Sequence, residues 1–435
     1  MIEKRGWEAT GKPKYKEVVH MKRLMVVLLA VVGLVAAGAL AADEGPIKIG
    51  VVLPMSPPGA YASGNPMWWA VLQAVEEVNE AGGIFGREVV AILGDTRGVP
   101  EEARAATERL ITKDKVVGVI GNYHSSCALA ELDLFKEYHI PYIGAEPWAD
   151  DVTAKGYDEV FRISITNSMY TDISVAWMVA AGFKRIAAVH EITDYALGLE
   201  KKLTAAWNEA GMDNQIAFCD IKTEDFTPTL IQFMQWDPPA DMFFGDITGP
   251  GSYLLVKQAY DIGFAPSPDT VFYATNACLN PEVWEVAGEA AKYIVVTQIG
   301  LPPSAYTEVT NRENEKFEKA YGRLMNATVM EGYDSFMLMC EAIKFAGSTY
   351  PDAIIDALEV MEWTGMRGTY SFPYGSNNPV PEDQPDYMWH QWPDVSEYLF
   401  QYTEVGQSPE DGTVIWPPVF SELPEGQYFI PVPEE

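Results

Sequence analysis

The stretch Asn122-Tyr123-His124-Ser125-Ser126-Cys127 brings an amide, a phenol, an imidazole, two hydroxyls and a thiol together directly after the apolar run 116–120. Such groups can attack a carbonyl, ligate a metal or hold a ligand. For attack, a base must point at the nucleophile and a third group must orient the base. His124 and Ser125 are chain neighbours, and adjacency does not supply that geometry. The other histidines, His20, His139, His190 and His390, are scattered along the chain. Gly-x-Ser-x-Gly elbows, Walker loops, His-Glu-x-x-His and Gly-x-Gly-x-x-Gly are absent from the sequence. Cys127, Cys219, Cys278 and Cys340 form no Cys-x-x-Cys, so they do not make a zinc pattern. An oxidising compartment permits disulfides among them, but buried free thiols are expected. These residues point away from an enzyme, a metal and a cofactor. Holding a ligand is the chemistry that remains, with Tyr123 and His124 lining the site and Ser125 and Ser126 at a helix start, where anions bind.

Polar and aromatic residues in other loops extend the site. Glu146 and Trp148 lie in Gly144-Ala145-Glu146-Pro147-Trp148, where the carboxylate suits a cation and the indole suits a ring or a cation. Asp246 and Thr248 follow the run 242–244, and Asn276 follows 271–273. Trp68 and Trp69 are adjacent and cannot share one buried helix face. One of them is expected at the ligand site or on the surface, and Trp68 is the candidate for the site. Convergent polar groups among aromatics are the usual make-up of a small-molecule pocket.

The chain of 435 residues carries 30 basic and 62 acidic ones, a net −32. Residues 1–42 hold seven of the basic and three of the acidic residues, which leaves 23 against 59, a net −36. Such a surface repels nucleic acid and anionic lipid headgroups. It fits a soluble exported protein, or one kept hydrated in a saline habitat. Residues 21–42 read as a secretory signal, with Lys22 and Arg23 ahead of the apolar 24–35 and Ala39-Leu40-Ala41 as a small-x-small cleavage site. Met21 is the expected start, with 1–20 upstream of it. An uncleaved anchor competes, because 24–42 is nineteen residues without charge. The alanine-rich end favours cleavage near Ala41/Ala42 and a free periplasmic protein. No cysteine follows that could carry a lipid.

These groups need elements to position them. Short β-rich runs at 47–53, 89–93, 116–120 and 141–143 alternate with helical stretches at 66–81, 101–112 and 126–138. A second series of runs follows at 185–189, 215–219, 241–244, 271–273 and 293–296, with helices between, and 310–360 is mostly helical. Strands alternating with helices imply βαβ units and parallel sheets, here two doubly wound α/β lobes. From Gly368 the chain is rich in Pro, Tyr and Trp, and 387–392, 398–402 and 414–416 read as short β runs of a hairpin extension.

Several pieces in this order resemble the periplasmic leucine/isoleucine/valine-binding protein family, the type I solute-binding proteins of ABC importers. They are Ile47-Lys48-Ile49-Gly50-Val51-Val52; Glu77-Val78-Asn79-Glu80-Ala81-Gly82-Gly83-Ile84 with Gly86-Arg87; Val119-Ile120-Gly121 and its loop; Thr153-Ala154-Lys155-Gly156-Tyr157 running into Phe161-Arg162; and Asp194-Tyr195-Ala196-Leu197-Gly198-Leu199. The resemblance covers about 250 residues and fades after about residue 365. It implies two lobes joined by three crossovers, near 163–168, 296–302 and 366–372. Lobe 1 is then 43–165 with a return at 299–368. Lobe 2 is 166–298 with a return, and the aromatic and Pro-rich β extension, at 369–435.

The resemblance also implies roles. Ser125 matches the serine that binds the ligand's carboxylate. Tyr61 matches a tyrosine at the cleft, and Tyr195 the tyrosine that the second lobe closes over the ligand. Glu146 and Trp148 stand where the family has an alanine carbonyl and a threonine hydroxyl, which argues against a simple leucine-type ligand. Asn276 stands where leucine-type proteins carry the glutamate that holds the ammonium. Either Asp246 or Glu146 replaces it, or the ligand has no α-ammonium. Tyr333-Asp334 resembles a motif near the hinge. The function implied is capture of a small organic ligand, amino acid-like and aromatic or apolar, by a monomer that delivers it to ABC transporter permease subunits. An aromatic carboxylate or a compact cation also suits the aromatic cleft. A ligand-sensing module for a receptor is the alternative, and a periplasmic hydrolase ranks third.

Overall fold

The computed structural model describes residues 45–433, and the expected signal segment and its cleavage site lie outside them. Strand β1 (Ile47–Leu53) is buried on both faces except at Lys48, as the middle of a parallel sheet requires. It pairs with β2 (Val89–Asp95) on one side and β3 (Gly118–Gly121) on the other. With β4 (Tyr142–Gly144) and β5 (Val160–Arg162) this makes a five-stranded parallel sheet of order β2-β1-β3-β4-β5. Helices α1 (Tyr61–Glu80), α2 (Pro100–Arg109) and α3 (Ser125–Tyr138) alternate with these strands.

The second lobe repeats the plan. Helix α4 (Asn167–Ala181) leads into β6 (Arg185–Glu191), α5 (Asp194–Glu209), β7 (Asp213–Cys219), α6 (Thr227–Met234), β8 (Met242–Asp246), α7 (Gly251–Asp261), β9 (Val271–Ala274) and β10 (Val295–Ile299). The chain then supplies α8 (Glu308–Tyr321), α9 (Ala327–Ala346), α10 (Pro351–Val360) and the hairpin β11 (Trp363–Thr364) and β12 (Thr369–Tyr370). Helix α9 lies along α1, so closely that a Cβ on Gly332 would stand 2.7 Å from the Met67 carbonyl oxygen. Finally β13 (Glu397–Gln401) and β14 (Thr413–Trp416) extend the second sheet, antiparallel, to the order β14-β13-β10-β9-β8-β6-β7. The architecture is the expected α/β class with two parallel-rich sheets. All four cysteines are free.

Three details differ from expectation. Helix α1 starts at Tyr61, so Pro66 lies inside it. The cost is one missing N–H close to the helix start. Strand β5 is three residues long, too short for periodicity to reveal. Residues 387–392 form no strand. Gln391 makes a single bridge to Arg162, and Arg162 N–H donates to His390 O while Trp392 N–H donates to Arg162 O, both at 3.0 Å. The His390 ring stacks on Phe161 with centroids 3.9 Å apart. Residues up to Trp392 thus stay on the first lobe, and the third crossover falls at 393–396 instead of 366–372. Among the described residues no helix is long and apolar enough to cross a membrane.

Candidate functional site

The carboxyl ends of the strands in both sheets face each other across a cleft, the place where open α/β sheets bind ligands. A cavity of about 440 Å³ lies between them. The first lobe contributes Tyr123, His124, Ser125, Ser126, Glu146 and Trp148 to its wall. The second contributes Glu191, Thr193, Tyr195, Thr248 and Asn276.

The loop after β3 is fixed from below. Gly121 has φ +124°, and a Cβ there would sit 2.3 Å from Val52 O. The next residue, Asn122, donates its amide to the buried Glu131 carboxyl, which also accepts from Thr107 Oγ1 at 2.7 Å. Burial pushes Glu131 up to about 8, against the pull of those two donors. Helix α3 then begins at Ser125, with His124 as its N-cap and no side chain capping it. Its first N–H groups have no partner within the helix. Ser125 Oγ accepts the Ala149 N–H at 3.0 Å, so its own proton is left to donate. His124 is buried with neither ring nitrogen partnered. Burial lowers it to about 4, so the imidazole is neutral.

The loop after β4 is held by Arg162. Its guanidinium donates to Ala149 O at 2.6 Å, Pro147 O at 3.3 Å, Thr153 Oγ1 at 2.8 Å and Gln391 Oε1 at 2.5 Å. Trp148 packs 5.3 Å from the Tyr170 ring and edge-on to Tyr195 at 5.7 Å. Glu146 Oε1 accepts the Asn276 amide at 2.7 Å across the cleft, and Tyr123 OH donates to Asn276 Oδ1 at 3.4 Å. Two more bonds join the lobes: Asp194 N to Ser126 Oγ at 3.2 Å and Asn280 Nδ2 to Ser63 Oγ at 3.1 Å. Burial raises the Glu146 carboxyl above its ordinary range.

The structure brings together seven of the ten residues singled out in the sequence: Tyr123, His124, Ser125, Glu146, Trp148, Tyr195 and Asn276. Three fall elsewhere. Asp246 is fully buried beside His190, whose Nδ1 lies 2.7 Å from Asp246 Oδ2, and it does not reach the cavity. Tyr61 borders a neighbouring recess of about 590 Å³ with Ser63, Tyr253 and Asn280, and only Thr248 belongs to both spaces. Trp68 packs against the first-lobe core, because seven residues after Tyr61 the helix has carried it about 10 Å from the cleft. Arg97 also stays off the cavity and donates to Pro57 O.

Glu191 went unnoticed in the sequence. It is the last residue of β6, and its carboxyl accepts from Thr248 N, Thr248 Oγ1 and Thr193 Oγ1, each at 2.9 Å. Burial pushes it up to about 7 in spite of those donors. The strand-end rule that drew attention to Asp246 applies equally to Glu191. Chemically the cavity offers two carboxyls, three aromatic rings, a neutral imidazole and a helix start, with no lysine or arginine in its wall. Among the described residues no cluster could hold a metal ion.

A model of the periplasmic binding protein family matches residues 46–381. A leucine-, isoleucine-, valine-, threonine- and alanine-binding protein of Pseudomonas aeruginosa is 24% identical over 341 residues, 78% of this chain and 88% of that one. The crystal structure of a leucine binding protein from Thermotoga maritima superposes with a TM-score of 0.71 at 25% identity, covering 83% of this chain and 96% of that one. A solute binding protein from R. palustris in complex with benzoate also gives a TM-score of 0.71, at 19% identity, covering 85% and 96%. The chain belongs to the periplasmic binding protein family, whose members bind solutes and are not enzymes.

Proposed function

We propose that this family member captures an α-amino acid with an apolar or aromatic side chain between its lobes and delivers it to the permease subunits of an ABC importer. One observation carries the ligand class. Glu146 and Glu191 face the cavity from opposite lobes, and no lysine or arginine lines it. An ammonium placed between them satisfies both. The ligand's carboxylate then goes to the free N–H groups and the Ser125 hydroxyl at the start of α3. Trp148, Tyr123 and Tyr195 receive the side chain. A benzoate, as in the R. palustris protein, offers nothing to the two carboxyls. The name of the Pseudomonas relative agrees with an amino acid. In this reading the chain works as a monomer in the periplasm after cleavage near Ala41/Ala42.

Thermal-shift and calorimetric titration with amino acids, benzoates and quaternary amines tests the proposal. Apolar or aromatic amino acids should raise the melting temperature. Binding of benzoates in their place would show the charge argument to be wrong.

A further inference from the structure

Behind the Glu146 wall, three buried ionisable side chains meet. Glu331 of α9 forms an ion pair with Arg367 through Oε1 and Nη1, and both residues are almost wholly buried. Arg367 comes from the β11–β12 turn. That turn is pinned to Asp334, which accepts from Met366 N at 2.9 Å, Arg367 N at 3.2 Å and Tyr370 OH at 2.5 Å. Glu331 and Glu146 each feel the other's carboxyl and the Arg367 guanidinium, so the three belong to one buried cluster. Asp334 has its donors. Glu146 and Glu331 each have one oxygen partnered, by Asn276 and Arg367, while the Oε2 of each is buried without a donor. Two buried carboxylates in one cluster cannot both ionise beside a single guanidinium at a cost the fold would bear. A proton between them supplies the missing donor and removes one charge.

We propose that Glu146 and Glu331 share one proton in the empty protein, and that a cationic group of the ligand entering beside Glu146 displaces that proton to solvent. Arg367 and Glu331 touch no ligand and are positioning residues. Arg367 holds the negative charge that stays on the Glu331 side. The exchange balances: the ammonium arrives already protonated, the O–H bond of the pair breaks, and one proton leaves as one positive charge enters. A ligand without a cation leaves the proton in place, so the pair selects for charge. Other groups around the pair do not take over this role. Tyr123, Trp148 and Asn276 surround Glu146, and Asp334 and Tyr370 flank Arg367. Burial keeps both phenols neutral. Glu191 faces the pair from across the cavity with donors of its own.

The exchange rests on the cation-accepting reading of the cleft, but the shared proton can be tested without any ligand. Infrared difference spectra of the empty protein, taken at a pH above the Glu191 value of about 7, compare wild type with Glu146→Gln. This variant keeps the Glu331–Arg367 ion pair, whereas Glu331→Gln would strand the guanidinium. The expected result is a deuterium-sensitive protonated-carboxyl band in wild type that the variant lacks. Identical spectra would overturn the shared proton. Calorimetric titration with L-leucine and L-phenylalanine in phosphate and in Tris then reads the exchange. Release of about one proton per ligand is expected. Binding without release overturns the exchange. If neither amino acid binds, the amino acid reading falls and the exchange with it, while the infrared band still decides the shared proton.

Discussion

In the proposed site Glu191 would join the second lobe to the ligand by charge, and its environment makes that charge depend on pH. Burial lifts its carboxyl from 4.5 to about 7, so the empty site favours the neutral form. An ammonium favours the carboxylate. Ligand affinity should therefore be weak below about 7, rise as Glu191 ionises and level off above it. Stability of the empty protein runs the opposite way for this group. A raised folded value stabilises fully below the unfolded value and is lost as pH climbs through the folded one. A larger ligand-induced melting shift on the acid side than on the alkaline side would contradict this assignment. Glu191→Gln keeps an acceptor for Thr248 but removes the charge. It should weaken amino acid binding about tenfold to a hundredfold, the loss of a charge-assisted contact worth about 1.5–3 kcal/mol. Melting of the empty variant should be unchanged or higher. Ser125 makes a contrasting case, because its hydroxyl serves the fold and, in the proposed site, would serve the ligand too. In Ser125→Ala the Ala149 N–H loses its acceptor, so calorimetry should show weaker binding and unfolding should show a loss of about 1–3 kcal/mol together.

At the scale of elements, the site is a pair of loops held rigid by residues that never meet the ligand. Gly121 turns the chain out of β3 in a conformation that L side chains rarely adopt, directly against Val52 O. Gly121→Ala should cost about 1–3 kcal/mol in backbone strain, displace the 122–126 loop and reduce binding more than a surface change would. Arg162 holds the 144–149 loop through two carbonyls; in Arg162→Met, Pro147 O would keep Ser164 Oγ and Ala149 O would keep the Val152 N–H, but Gln391 Oε1 would lose its donor. Denaturant unfolding should register a loss of about 1–3 kcal/mol for the stranded Gln391 oxygen. An unchanged midpoint would mean the loop is held by something else. These roles explain what the sequence could and could not convey. The apolar runs of β1 and β6 and the polar loop after β3 are local patterns, and they can be read from a few residues. The Arg162–Gln391 contact joins residues 229 apart, and no local pattern encodes it. That contact is why 387–392 lies on the first lobe and not in a second-lobe hairpin. Asp246 and Glu191 occupy equivalent strand ends. Asp246 is level with His190 in the sheet, so Glu191, one residue further along β6, leaves the sheet on the opposite face.

For the whole molecule, buried carboxyls in both lobes set the pH at which the empty protein is most stable. Burial raises Glu131 and Glu397 to about 8, Glu191 to about 7 and Asp334 to about 6. Each of these groups stabilises the fold while neutral, so its contribution is complete below 4.5, or 3.8 for Asp334, and is lost as pH rises through those values. His139, raised by Asp352 and Glu159, adds to the same trend, since its ion pairs weaken as it loses its proton. The net surface charge of −36 beyond residue 42 also grows more repulsive as pH rises. Opposing them, His390 holds Glu359 down to about 2, and hydrogen bonds from Ser56, Met55 and Arg97 outweigh burial to lower Asp95. Those two contributions are present above the unfolded values of 4.5 and 3.8 and fail only as pH falls below them. The raised set is complete only below about 4.5 and the lowered set only above it, so the two overlap near 4.5. Urea midpoints of the empty protein should peak there, fall toward pH 8, and recover part of the alkaline loss in added sodium or potassium chloride, which screen the surface alike. A saturating amino acid should move the maximum to higher pH, because it binds the ionised site and stabilises only the folded state. A maximum that stays in place on saturation would show that the carboxyls facing the cavity do not change their charge when the ligand enters.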